Sequence, residues 1–223
     1  MNTKNQNIYK NMLENERKSS AQYYAEHPDS LVLQFNEELR NAGFVFELKS
    51  QAFSFMPKYR NVILPIAKKY YQLAKSMKRE NEQNHFLSFF HYKGCDEVIP
   101  LLLSDYYSDE TSDLTRWFIS DCFYSIRSSD YIDEYLQIAT NPKFGVNRQM
   151  IVLLLGKLKV EKAIPILIDL LEDETVRLHA ITALGDFKRE AFRPYFERFQ
   201  DSKQPGWRKC ARAALKKLEP KEE

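Results

Sequence analysis

RQMIVLLLGKLKVEKAIPILIDLLEDETVRLHAITALGDFKREAFRPYF, residues 148–196, contains the same unit twice: KAIPIL ends one copy and AFRPYF the next. The unit recurs outward in both directions. Pro65 in VILPIA, Pro100 in EVIPLL, Pro165 and Pro194 share one short context, and Asp133 in DYIDEYL fills the remaining slot. The successive steps are 35, 33, 32 and 29 residues. Self-similarity at about 30 residues marks a stack in which each unit covers the apolar face of its neighbour.

A second anchor lies seventeen residues before each proline slot, at Gln83, Arg116, Arg148 and Arg177, and the next step reaches Arg208. Counted from these anchors, offsets +3, +6, +7 and +10 are mostly apolar. In three of the units they read Ile119, Cys122, Phe123, Ile126; Ile151, Leu154, Leu155, Leu158; and Ala180, Ala183, Leu184, Phe187. Spacing by three and four is one stripe of an α-helix. Breaks follow at Lys93-Gly94, Ser128-Ser129, Val160-Glu161 and Lys188-Arg189. A second stripe then carries Leu102 and Asp105, Tyr135 and Ile138, Leu167 and Leu170, and Phe196 and Phe199. Each unit thus reads as helix, tight turn, helix, with the proline in the second helix's first turn, where its missing N–H costs nothing.

The composition agrees with such an array. The chain has 223 residues, 43% of them apolar, which is ample for a buried core, and only six glycines, which disfavours an all-β fold. Its 33 basic and 31 acidic residues leave a net charge of +2, so the overall balance implies no polyanionic partner. No 18-residue apolar run predicts a membrane span, and the polar start lacks the apolar core of a secretion signal. Cys95, Cys122 and Cys210, odd in number and far apart, read as small buried hydrophobes of a reducing, cytoplasmic compartment.

The features Arg148, Leu155-Gly156, Ala163-Ile164-Pro165, Leu170-Leu171, Asp173, Val176-Arg177 and Leu184-Gly185 resemble the HEAT-like repeats related to those of phycobilin lyases. The whole chain is similar to small bacterial HEAT-repeat proteins. The resemblance implies an all-α, right-handed α-α superhelix, a HEAT-repeat solenoid of about five stacked hairpins plus a terminal helix. Its second helices would line a concave side. The layout read from the sequence is a polar arm or lead-in helix over 1–30 and one solenoid over 31–223. Its repeats run at approximately 31–82, 83–115, 116–147, 148–176 and 177–207, with a capping helix at 208–218. Asp29-Ser30 supply a cap for a helix from about Leu31, and Asn41-Ala42-Gly43 a stop.

Several polar groups stand out. The column Arg116, Arg148, Arg177 and Arg208 reads either as a ladder of anion contacts or as structural guanidiniums, each bonding a group in the preceding turn, such as Asp173 with Arg177. Ladders of this kind are a trait of the resembled repeats. Residues 48–79 hold eight basic side chains and no acidic one. There, Val62, Ile63, Ile66, Tyr70, Leu73 and Met77 predict the buried face, and Lys68, Tyr71, Lys75 and Lys78, with Arg79, a basic stripe for an acidic protein or for phosphates. Between Gly94 and Thr115 the balance reverses: Asp96, Glu97, Asp105, Asp109, Glu110 and Asp113 accumulate without a Lys or Arg, yet not at calcium-loop spacing.

Trp117 and Asp121 share a helical spacing that resembles the aromatic and carboxylate groups of HEAT-repeat DNA glycosylases. Their place on a first helix puts them on the opposite, convex side. His27, His85, His91 and His179 have no metal spacing, and no His-Glu pair resembles the HEAT-repeat di-iron hydroxylases. Phosphate-loop and nucleophile-elbow motifs are lacking. The sequence implies no cofactor and no metal. The leading expectation is a non-catalytic scaffold binding another protein, one with an acidic surface, through the concave face and the basic N-terminal repeat. Nucleic-acid binding with base-excision activity and a bilin-lyase-like activity are the alternatives.

Overall fold

The three-and-four periodicity is helical: the described residues of the computed structural model hold eleven α-helices and no strand. It describes residues 14, 18, 19, 22, 25–44 and 49–219, those of 49–54 without their side chains. Most of the arm read over 1–30 therefore lies outside the described residues. No described helix is long and apolar enough to cross a membrane. The chain divides into two compact units, Met1–Tyr92 and Lys93–Glu223. That boundary falls between the two halves of the repeat read as 83–115.

Unit 1 contains α1 (Leu31–Asn41), α2 (Lys49–Ser76) and α3 (Glu80–Leu87), followed by a 3-10 turn at Ser88–Phe90. Ser30 caps α1, its Oγ accepting from Val32 N at 3.2 Å. Glu82 of α3 reinforces that end, taking hydrogen bonds from Ser30 Oγ and Leu31 N, both at 2.7 Å. A carboxylate suits the positive end of a helix dipole. After α1 the chain turns through Gly43, whose φ of +90° is open to glycine at little cost. The core is aromatic: Phe35 meets Phe86 and Phe89 edge-on at 5.3 and 4.9 Å, and Tyr71 meets Phe90 at 5.5 Å.

Two expectations fail in α2. Pro65 does not open a second helix; Pro57 and Pro65 both lie inside one 28-residue helix, kinked at Tyr59 (φ −117°, ψ 24°). The buried face is Ile63, Leu64, Ala67, Tyr70, Tyr71 and Ala74, whereas Val62 and Met77 are exposed. The inward face is therefore rotated from the predicted stripe. The helix carries apolar residues on two adjoining faces, and periodicity cannot choose between them.

Unit 2 repeats cleanly. Its first helices are α5 (Asp113–Ile126), α7 (Gln149–Lys157), α9 (Arg177–Phe187) and α11 (Pro205–Lys216), each packed on the next in sequence order. Its second helices are α4 (Ile99–Tyr107), α6 (Ile132–Thr140), α8 (Ile164–Asp169) and α10 (Arg193–Glu197). Pro100, Pro165 and Pro194 occupy the first turn of α4, α8 and α10. The stripe residues Ile119, Phe123, Ile126, Ile151, Leu155, Ala180 and Leu184 are buried, as are the second-helix pairs from Leu102 and Asp105 to Phe196 and Phe199.

At offset +11 the chain turns left-handed in every layer: Gly94 (φ 88°), Arg127 (60°), Lys159 (52°) and Lys188 (55°). Only the glycine announces such a turn. A long basic side chain in this conformation carries a steric cost, offset in part by its position at a helix's negative end. Gly156 and Gly185 sit where first helices touch. A Cβ on Gly156 would lie 2.4 Å from Ala183 Cα, and one on Gly185 2.9 Å from Ala214 Cβ.

Candidate interaction surfaces

Carbonyls at and beyond the end of a second helix lack a donor inside that helix, and the arginine column supplies one. Arg116 donates from Nε to Tyr106 O (2.9 Å) and from Nη2 to Ser108 O (3.0 Å) at the end of α4. Arg148 donates to Ala139 O (3.3 Å) in α6 and to Gly145 O (3.0 Å). Arg177 reaches Leu171 O (2.5 Å) and Glu172 O (3.0 Å), and Arg208 reaches Ser202 O (2.7 Å). These guanidiniums are therefore occupied by the fold. The predicted pairing is corrected in one respect: the Asp173 carboxylate accepts from Arg148 Nη2 at 2.6 Å, one unit back, and what Asp173 takes from Arg177 is the main-chain N–H, on its carbonyl at 2.7 Å. The Arg177 guanidinium pairs with Glu174 at 3.4 Å and lies over the Trp207 ring at 4.3 Å.

Burial pushes the Asp173 carboxyl up, but hydrogen bonds from Arg148 and Thr175 outweigh it and hold the group below its ordinary value. A parallel set joins the earlier layer. Asp113 accepts from Arg116 (2.8 Å) and Asn147 (3.1 Å), and Asn147 O accepts from Tyr106 OH (3.1 Å) and Ser120 Oγ (2.7 Å). Burial raises the Tyr106 phenol to about 12. The Tyr135 hydroxyl, equally buried, has no hydrogen-bond partner among the described residues, and burial raises its pKa too.

The predicted basic stripe is broken up. Tyr71 is in the core at 0% exposure, which corrects its placement beside the lysines. Lys68 and Lys75 are half-buried on one flank of α2. Lys78 is exposed, in a left-handed turn just past that helix. Arg79 is engaged by Asp29, to which it donates a short bond, and by Glu82 at 3.4 Å. Lys69, its neighbour on α2, pairs with Glu38 at 2.6 Å. The hollow lined by Asp29, Ser30, Arg79 and Glu82 thus has charges that already face one another.

The acidic segment is dispersed as well. Asp105 is buried, Asp109 pairs with Lys143 at 2.8 Å, and Asp113 serves Arg116 and Asn147. Asp96, Glu97 and Glu110 remain at or near the surface. No group of three or more His, Cys, Asp or Glu side chains suited to a metal occurs among the described residues. Cys95 and Cys122 are buried, as read from the sequence, and Cys210 is half-buried; burial drives the Cys122 thiol well up, which makes it a poor nucleophile. His179, half-buried, is lowered by burial. Asp121 is half-buried and Trp117 exposed on α5, with the indole edge-on to Phe118 at 5.4 Å.

Sequence reasoning missed an apolar surface at this end of unit 2. Tyr107, Leu114, Trp117 and Val146 are 42%, 55%, 38% and 54% exposed. The Asn147–Asp113 hydrogen bond joins the two segments that carry Val146 and Leu114, and Phe144 holds the Tyr107 ring at 5.6 Å. No periodicity signals it, because its members come from a helix end, a first turn and the 3-10 segment Pro142–Arg148.

The family model of HEAT repeats matches residues 132–216. No curated protein and no solved structure gave a match. The matched region takes in α6 to α11, whose first helices α7, α9 and α11 stack in order. Residues 132–216 of this all-α chain are therefore similar to HEAT repeats, in keeping with the stacked helices seen there.

Proposed function

We propose that the chain is a non-catalytic scaffold that binds another protein. HEAT repeats in general mediate contacts between proteins. One observation carries the reading here: the repeat's polar side chains hold the layers together, while Tyr107, Leu114, Trp117 and Val146 stand in solvent at one end of unit 2. Clustered exposed aromatic and aliphatic side chains are the composition of an interface centre. Glu110 and Asp113 supply a polar rim. A second contact, for an acidic protein surface, falls to Lys68, Lys75 and Lys78 of unit 1.

The test is affinity capture at native concentrations, with wild type, L114E/V146E and K68E/K75E as baits and melting curves as a check on folding. A partner retained by wild type and lost with L114E/V146E supports the reading. Equal retention by both removes this face, and no partner with any bait removes the scaffold itself.

A further inference from the structure

The face that periodicity assigns to the core of α2, and that the structure leaves partly outside, has a symmetry of its own. At 100° per residue, Val62, Ile66, Leu73 and Met77 fall within about 60° of one another, beside the face the core takes. Val62 and Met77 are 41% and 46% exposed, and Ile66 and Leu73 between them are half-buried. Their spacing is four, seven, four, which reads the same from either end, and the exposure pattern is equally symmetric. The centre falls between Lys69 and Tyr70. A stripe of this kind matches itself when one helix is turned end for end.

We propose that two copies of this chain associate through α2, antiparallel and about a two-fold axis at Lys69–Tyr70. Val62 then packs on the partner's Met77, and Ile66 on the partner's Leu73. The interface is isologous, the commonest arrangement of a homodimer. Charge supports a second copy as the occupant. Residues 48–79 carry no acidic side chain, so two bare α2 helices would repel. Each copy, however, brings Glu38 of α1 to Lys69 at 2.6 Å, both partly solvent-accessible. Near the axis, Lys69 therefore meets the partner's Glu38, and the four charges alternate.

From Val62 to Met77 the helix rises about 22 Å. One helix face of that length falls short of the roughly 800 Å² per partner of a standard interface, so the dimer is weak and concentration-dependent.

Sedimentation velocity over a concentration series, up to about 1 mM, tests this with wild type and V62E/M77E. Both substitutions are at exposed positions, and melting curves check that the variant folds. Reversible dimerisation by wild type, weakened roughly 100-fold or more in the variant, is expected. A wild-type chain monomeric throughout, which would leave the stripe to an unrelated partner, overturns the proposal, and so does a variant that dimerises equally well. Register is read by mixing V62C with M77C under mild oxidation. A mixed disulfide should dominate, and preferential V62C–V62C linkage would sink the antiparallel arrangement.

Discussion

In unit 2 one offset performs one task in every layer, whereas in unit 1 a single long helix occupies the place that the repeat would give to a hairpin. The prolines show the contrast. Pro100, Pro165 and Pro194 begin helices, while Pro65, in the same local context, lies inside one. A local motif thus takes its meaning from what precedes it. In unit 2 a left-handed residue precedes every second helix, with a 3-10 turn ahead of α4, α8 and α10, while α2 runs on from Tyr59 through Pro65 to Ser76. The consequence for function is that unit 2 presents an apolar patch between segments, and unit 1 presents one along a helix.

The sharpest way to break the picture of layered contact in unit 2 is Gly156→Ala. The added methyl meets the Ala183 main chain at 2.4 Å, so the helices must part. A loss of about 3 kcal/mol is expected in denaturant unfolding, despite about 1 kcal/mol of helix propensity gained. Gly185→Ala, where the nearest atom is a side-chain methyl, should cost less, about 1 kcal/mol. A neutral Gly156→Ala would show that the layers slide. Next comes Arg148→Met, which strands Asp173 and two carbonyls and should cost about 2–4 kcal/mol. Arg208→Met removes one carbonyl bond and should cost about 1 kcal/mol.

The prolines separate the units by sign. Pro65→Ala restores an interior helix bond and relieves a clash, so unit 1 should gain about 1–2 kcal/mol. Pro165→Ala only frees the unfolded chain and should lose about 0.5 kcal/mol. Equal signs would mean that α2 is not continuous at Pro65. Tyr135→Phe deletes a buried hydroxyl with no partner among the described residues, and should be neutral or stabilising by up to about 1 kcal/mol; a clear loss would reveal a bond to water.

The smallest effect concerns pH. Asp173 is held below its ordinary value near 3.8, so its contribution is complete above that value and is lost as pH falls through its lower folded value. Asp173→Asn should therefore flatten the acid limb of the stability profile below about pH 4 and lower the neutral plateau.

Much of this was legible residue by residue. The capping of α1 by Ser30, the three helix-opening prolines and the buried stripes of unit 2 follow from spacing, because helix geometry converts position directly into direction. The partners of the arginines were not legible. Their acceptors are chiefly main-chain carbonyls, which every residue possesses, and their positions depend on how one helix ends against the next. Nor were the left-handed turns at Arg127, Lys159 and Lys188, since a basic residue gives no sign of the conformation imposed on it. Tyr71 and Val62 exchanged places for a simpler reason: α2 has apolar side chains over more than half its circumference.

The order of letters alone determined that this chain is helical, repeats at about 30 residues and must stack, because a stripe every three to four residues is greasy on one side and cannot stand alone. Tertiary structure decided which face of α2 turns inward, where each guanidinium ends and which apolar side chains remain in water. Those outcomes depend on which surfaces meet across long separations, and a local pattern does not encode that.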